Sequence, residues 1–139
     1  MNAPLYTTEI LRLAASLPEP RQLERVDGKA SERSPTCGST VATEVQMTDS
    51  RVDAISQTVS ACAFGQASAT LVAQQAPGRD RAAVEAALDQ LQRWLSGESS
   101  EPPAWPGYEA LSPALPKTGR HGAIILPLRA LLAAMDAAG

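Results

Sequence analysis

Two runs rich in Val, Thr and Ile, residues 38–47 and 52–61, alternate apolar with polar positions on either side of Thr48-Asp49-Ser50-Arg51. Alternation at period two marks a strand with one buried face, and two such runs joined by a turn-like cluster have no partner nearer than each other. The spacing predicts an antiparallel hairpin, and the rest of the fold must be arranged around it. In a hairpin the numbers of facing residues have a constant sum, which a turn centred at Asp49 and Ser50 sets at about 99 or 100. The larger sum pairs Val41 with Val59 and Val45 with Ile55, giving one apolar face, so a buried face favours it. Under either sum Cys37 and Cys62 are direct or diagonal neighbours just past the strands.

Unbroken alternation would send those two cysteines to opposite faces. The second strand must therefore end or bulge before Cys62, where Ser60-Ala61-Cys62-Ala63 and Gly65 are all small. A helix that begins there brings unpaired N–H groups and the positive end of its dipole to the sulfur. That setting favours the thiolate, the nucleophilic and metal-binding form of cysteine.

The remaining segments read mostly as helices. Asn2 is a candidate N-cap and Pro4 a first-turn residue for a helix carrying Leu5, Ile10, Leu13, Ala14 and Leu17, ended by Pro18 and Pro20. Residues 21–36 hold the turn signal Asp27-Gly28 and Pro35, leaving room for a short or edge strand. Residues 62–75 place Phe64, Ala67, Leu71 and Val72 at helical spacing and stop at Pro77-Gly78. Residues 80–96 are the clearest helix, with Asp80 near the start, the stripe Val84, Leu88, Leu91 and Leu95, and Gly97 beyond the end. Pro102, Pro103, Pro106, Pro113 and Pro116 make 98–117 a connector, in which Trp105, Tyr108, Leu111 and Leu115 are expected to pack on the body. Residues 121–138 close the chain as a helix, Pro127 marking either a kink or its true first turn.

A chain of 139 residues fits one domain with one core, residues 1–139. Aromatics are only 4% of it, so Trp94, Trp105, Tyr6, Tyr108 and Phe64 are the few large pieces of a core made of Ala, Val, Leu and Ile. The net charge of -3, without a basic run, argues against nucleic-acid binding. No basic leader and no stretch near the ~20 apolar residues of a membrane span are found, so a soluble, cytoplasmic chain is expected. A phosphate-binding glycine loop, a nucleophile elbow and a triad around the single histidine are all missing, so an oxidoreductase or hydrolase is not expected.

Two cysteines are too few for a disulfide scaffold. In a reducing compartment they are inert core residues, ligands or reactive thiols, although their expected proximity also makes a disulfide sterically conceivable. His121 stands between Arg120 and Gly122 at a helix start, and a lone histidine is more often a hydrogen-bonded group than a ligand. Lys117 and Arg120 lie close enough to the third motif to tune a thiolate there, but are more simply solvated charges.

The stretches Ser34-Pro35-Thr36-Cys37-Gly38-Ser39 and Ala61-Cys62-Ala63-Phe64-Gly65-Gln66-Ala67-Ser68-Ala69, with His121-Gly122 opening the last helix, resemble the NifU N-terminal/IscU-type iron-sulfur cluster assembly scaffolds. The resemblance runs over most of the chain. It implies an α+β fold, a small three-stranded antiparallel sheet with helices packed on it, of the SufE/IscU-like type. It further implies that Cys37, Cys62 and His121 bind iron or zinc and sulfur, the cofactor being an iron-sulfur cluster such as 2Fe–2S, or zinc. Cysteine desulfurase and acceptor apoproteins are the implied partners, and a homodimer sharing one cluster through four cysteines also satisfies the ligand count. Two positions depart from the family pattern: Ser39 stands where it has an acidic residue, and Gly122 where it has a third cysteine. Alternatives are a SufE-like sulfur acceptor for a cysteine desulfurase, using one thiol, and a degenerate zinc-binding interaction module.

Overall fold

The computed structural model describes residues 6–35 and 37–139. The hairpin is present as β2 (Thr40–Thr48) and β3 (Arg51–Ser60), and β1 (Gly28–Arg33) adds antiparallel to the open side of β2. The sheet order is β1-β2-β3, so the strand expected to be short and at an edge is so. Both candidate registers occur. Val41 faces Val59 and Val45 faces Ile55 over most of the ladder, whereas a bulge between Gln46 and Met47 shifts the pairing by one beside the turn. Asp49 and Ser50 both take positive φ (52° and 63°), the two-residue turn whose twist matches that of the strands.

Four α-helices cover one face of this sheet and one another. They are α1 (Thr8–Ala15), α2 (Ala63–Gln75), α3 (Arg81–Ser96) and α4 (His121–Ala137). α4 lies across β1 and β2, α2 packs on β3 and α4, α1 on α2, and α3 on α4. The first helix begins later than its apolar spacing predicts: Thr7 is the N-cap, its hydroxyl accepting from the Ile10 amide at 3.1 Å. The expected cap Asn2, with Pro4 and Leu5, falls outside the described residues. α3 is bounded as predicted, Asp80 accepting from the Ala83 amide at 2.9 Å and Gly97 closing the helix at φ 88°. Pro127 lies in the interior of α4, so it does not mark the first turn. Having no N–H, it gives nothing to the carbonyl one turn back, that of Ala123.

Part of the opposite sheet face, around Gln46 and Ser56, is covered by the chain leading into β1. Between α1 and β1 the Arg21 amide donates to Ser56 Oγ, the Arg25 amide to Gln46 Oε1, and Leu23 is buried. The connector 98–117 packs inward as predicted, with a 3-10 helix at Tyr108–Ala114 and both Trp105 and Tyr108 buried. Trp105 Nε1 donates to the Leu71 carbonyl at 2.9 Å. Ser68 joins three elements: its hydroxyl donates to the Ile124 carbonyl of α4 at 2.6 Å and takes the Tyr108 hydroxyl proton at 2.7 Å. Ser68→Ala leaves the buried Tyr108 hydroxyl without a mate and removes the side-chain donor to the Ile124 carbonyl, and should cost about 2 kcal/mol in urea unfolding. A Tyr108→Phe, Ser68→Ala double variant less destabilised than the sum of the singles is the expected sign of coupling. Among the described residues no helix is long and apolar enough to cross a membrane.

Candidate functional site

At the end of the sheet away from the Asp49-Ser50 turn, three chain segments converge. The first is the loop from Ser34 to Ser39, closed by the Ser34 amide on the Ser39 carbonyl (2.9 Å) and the Gly38 amide on the Ser34 carbonyl (3.1 Å). Gly38 takes φ 73°, a left-handed conformation that costs glycine nothing and turns the chain into β2 just after Cys37. The second is the end of β3, where Ser60 pairs with Thr40 and the chain then leaves the sheet, Cys62 becoming the N-cap of α2. The third is the 3-10 turn Thr118–Arg120 leading into α4.

These segments enclose an open pocket of about 260 Å³ lined by Cys37, Ser39, Ser60, Cys62, Arg120 and the small residues around them. The two cysteines expected to be neighbours therefore line one cavity. The parity conflict is resolved by termination: both cysteines lie outside the strands, so alternation does not govern where they point. Close packing holds the arrangement, since a Cβ added at Gly65 would come within 2.7 Å of Ala61 Cβ and 3.3 Å of the Ala123 carbonyl. Only a bare helix surface lets α2 and α4 approach so near at the pocket floor.

Cys37 is exposed, while Ser34 and Ser39 beside it are buried. The Ser34 hydroxyl, then the Ser39 hydroxyl (Oγ 3.1 Å from the sulfur) and the Ser39 amide, donate to the sulfur and hold its pKa below the ordinary thiol value. Arg120 adds a favourable charge, and partial burial opposes the shift without cancelling it. Hydrogen bonds to the charged form are what stabilise it here. The pocket lining contains no carboxylate. α2 begins at Cys62 without any side-chain cap, so its first amides lack the acceptor that a Ser or Asp would provide.

His121 departs from the expected set. Its Nε2 lies 2.9 Å from the Ala114 carbonyl and 3.1 Å from the Leu115 carbonyl, both at the end of the connector's 3-10 helix, and it is not among the pocket residues. Nε2 therefore carries the proton and donates to backbone, tying the start of α4 to the connector. Among the described residues no three His, Cys, Asp or Glu side chains gather as a metal site. The physical reason is that the imidazole is drawn to the carbonyls ending the 3-10 helix: it donates to that of Leu115 and joins the Lys117 amide (2.8 Å) on that of Ala114. Lys117 does not line the pocket, whereas Arg120 does. Ser34 and the donor role of Ser39 escaped the sequence reading, which registered position 39 only as a missing acid; the clue available was a cysteine flanked by serines in a Pro/Gly loop.

No protein-family model matches the chain, and no curated relative does. Solved structures do. A NifU-like protein (N-terminal part) from Brucella abortus superposes with a TM-score of 0.84 at 29% identity, covering 95% of this chain and 92% of that one. A protein assigned as an iron-sulfur cluster assembly scaffold of the SUF system from Fervidobacterium islandicum gives a TM-score of 0.77 at 16% identity, covering 94% and 96%. The second likeness is one of fold; the first adds sequence to it over nearly the whole length. The three-stranded antiparallel sheet with helices packed on it is the fold of these neighbours, and the chain is similar to the first of them in sequence as well, in support of the NifU N-terminal/IscU-type scaffold resemblance.

Proposed function

We propose that this chain is an iron-sulfur cluster assembly scaffold, a binding protein and not an enzyme, which takes iron and sulfide onto Cys37 and Cys62 and passes the cluster to an acceptor protein. The observation that carries the reading is the meeting of the two cysteines in one open pocket free of carboxylates, on this fold. The cluster is cargo. Thiolates are its natural ligands, and the exposure of Cys37 that admits iron also lets the product leave. The donors around Cys37 lower its pKa without a metal present, so less of the cost of deprotonation falls on iron binding. A cysteine desulfurase is the proposed sulfur source, in the reducing cytoplasm where both thiols stay free.

Anaerobic incubation with iron and sulfide should give the visible charge-transfer absorption of a cluster. Cys37→Ala and Cys62→Ala should each lose at least about nine-tenths of it, because each removes one of the two sulfurs of the pocket. A wild-type protein that stays colourless would overturn the reading.

One observation favours a second reading, a SufE-like sulfur acceptor: the depressed pKa and exposure of Cys37 alone suit attack on a desulfurase persulfide. In that exchange the Cys37 thiolate bonds to the outer sulfur of the persulfide while the enzyme cysteine leaves as a thiolate, and no net oxidation occurs. Mass spectrometry after incubation with desulfurase and cysteine would show one added sulfur on Cys37, retained in Cys62→Ala. Stoichiometric zinc in protein purified without added iron would instead favour the zinc-binding module.

A further inference from the structure

Two polar side chains are buried in the core without mates. Thr43 and Gln57 are 1% and 5% exposed, and they face each other across the β2–β3 ladder. Among the described residues neither Thr43 Oγ1 nor Gln57 Oε1 has a hydrogen-bond partner. Gln57 Nε2 is satisfied, donating to the Ala69 carbonyl of α2 at 3.0 Å. A buried hydroxyl or carbonyl oxygen left alone forfeits the bonds it made to water, and such atoms are rare enough in native folds to require a reason.

Their place supplies one. Alternation puts Val41, Thr43 and Val45 on the helix-facing side of β2, with Val59, Gln57 and Ile55 opposite them on β3. Val45 and Ile55 belong to the main core, whereas Val41 packs in a separate apolar group with Leu126 and Ala130 of α4 and with Val59. The polar pair is the seam between the two. The pocket residues Ser39 and Ser60 lie just beyond Val41 and Val59, so the site stands on the smaller side.

We infer that the pocket end of the sheet opens as a unit of its own, hinged at the Thr43–Gln57 seam, while the main core stays closed. The strand ends at residues 40–42 and 58–60 lift from Leu126 and Ala130, and the end of β1 paired with them follows. α4 stays, because Ile124, Leu128 and Leu131 hold it in the main core, and Phe64, Ala67 and Leu71 hold α2. Cys62 caps α2 and remains with it, whereas Cys37 rides on the loop before β2, so the opening changes the spacing of the two sulfurs. Little apolar surface is uncovered on this side, and water reaches both orphaned atoms, which offsets part of the cost. The pocket is thus gated by its own sheet. The inference stands apart from the scaffold reading, since it concerns the protein without iron.

The test is native-state hydrogen exchange of the metal-free full chain, read amide by amide. Relative to the unstructured chain, the hydrogen-bonded amides among residues 40–42 and 58–60 should exchange at least about a hundredfold faster than those of residues 66–72 and 88–95. Low urea should leave the faster set unchanged, because the opening exposes little surface. Thr43→Val, an isosteric change that removes one orphan, should slow the faster set about fivefold, and the double variant with Gln57→Met about tenfold, both with a higher urea midpoint. Thr58→Val, on the exposed face of β3, should leave these rates unchanged. Three results would each overturn the gate: exchange of residues 40–42 and 58–60 only through global unfolding, unchanged rates in the double variant, or a Thr43→Val protein less stable than the parent.

Discussion

Gly28→Ala should lower the stability of this fold by about 3 kcal/mol, the largest effect expected of any single added methyl group here. Gly28 opens β1 beneath the last turn of α4. A Cβ at that position would lie 2.1 Å from the Ala134 carbonyl oxygen, 2.7 Å from the Ala138 amide and 2.9 Å from Ala138 Cβ. Two of those atoms are backbone, so no rotamer change relieves the overlap; either β1 slides off β2 or the end of α4 lifts from the sheet. Both movements uncover apolar surface shared by Val45, Ala134 and Met135. Thermal unfolding should show a midpoint lower by roughly 10 °C for a chain of this size. Gly119→Ala is the control, because nothing lies within 4 Å of its added Cβ and its stability should match the parent. Equal stability in Gly28→Ala would mean that strand and helix do not meet as described.

Ser39→Asp should slow alkylation of Cys37 by iodoacetamide about tenfold at neutral pH and move the midpoint of its pH profile upward. The present Ser39 hydroxyl, 3.1 Å from the sulfur, donates to it and the Ser39 amide assists. A carboxylate there removes a donor and adds a like charge, and both changes disfavour the thiolate. The sign follows from the depressed pKa of Cys37. The parent thiol remains ionised, and reactive, at pH values where an ordinary cysteine is protonated, and this advantage disappears only as the pH falls through its own lowered midpoint. Ser34→Ala should act in the same direction but less strongly, since it deletes a donor without adding charge. Cys37 alkylation must be separated from that of Cys62 by peptide mass spectrometry. An unchanged profile in Ser39→Asp would show that the serine donors do not control this thiol.

Much of the architecture was legible because local chemistry and tertiary packing agree. The alternation of residues 38–47 and 52–61 needs no information beyond itself to give a hairpin, and the Val41–Val59 and Val45–Ile55 pairs are the consequence of burying one face. Asp80 and Gly97 bound α3 by capping rules that act within a few residues. The start of α1 was not legible, since nothing in the apolar spacing marks Thr7, whose hydroxyl caps the helix by accepting from the Ile10 amide at 3.1 Å. In sequence Pro127 reads as a kink or as the first turn of the last helix. In the fold it is carried inside α4, where burial of Ile124, Leu128 and Leu131 outweighs one missing hydrogen bond.

For the site, the sequence by itself determined that Cys37 and Cys62 must come together, because antiparallel pairing is arithmetic on residue numbers and both flank the same end of one hairpin. Only the tertiary structure decided what surrounds them. The Ser34 and Ser39 hydroxyls reach the sulfur through the closure of a loop, and Arg120 arrives from a segment about eighty residues away. His121 turns to the carbonyls of Ala114 and Leu115, where the connector's 3-10 helix ends beside the start of α4. Strand pairing follows from periodicity along the chain, whereas the direction of a side chain at a junction depends on which polar groups the whole fold leaves unsatisfied.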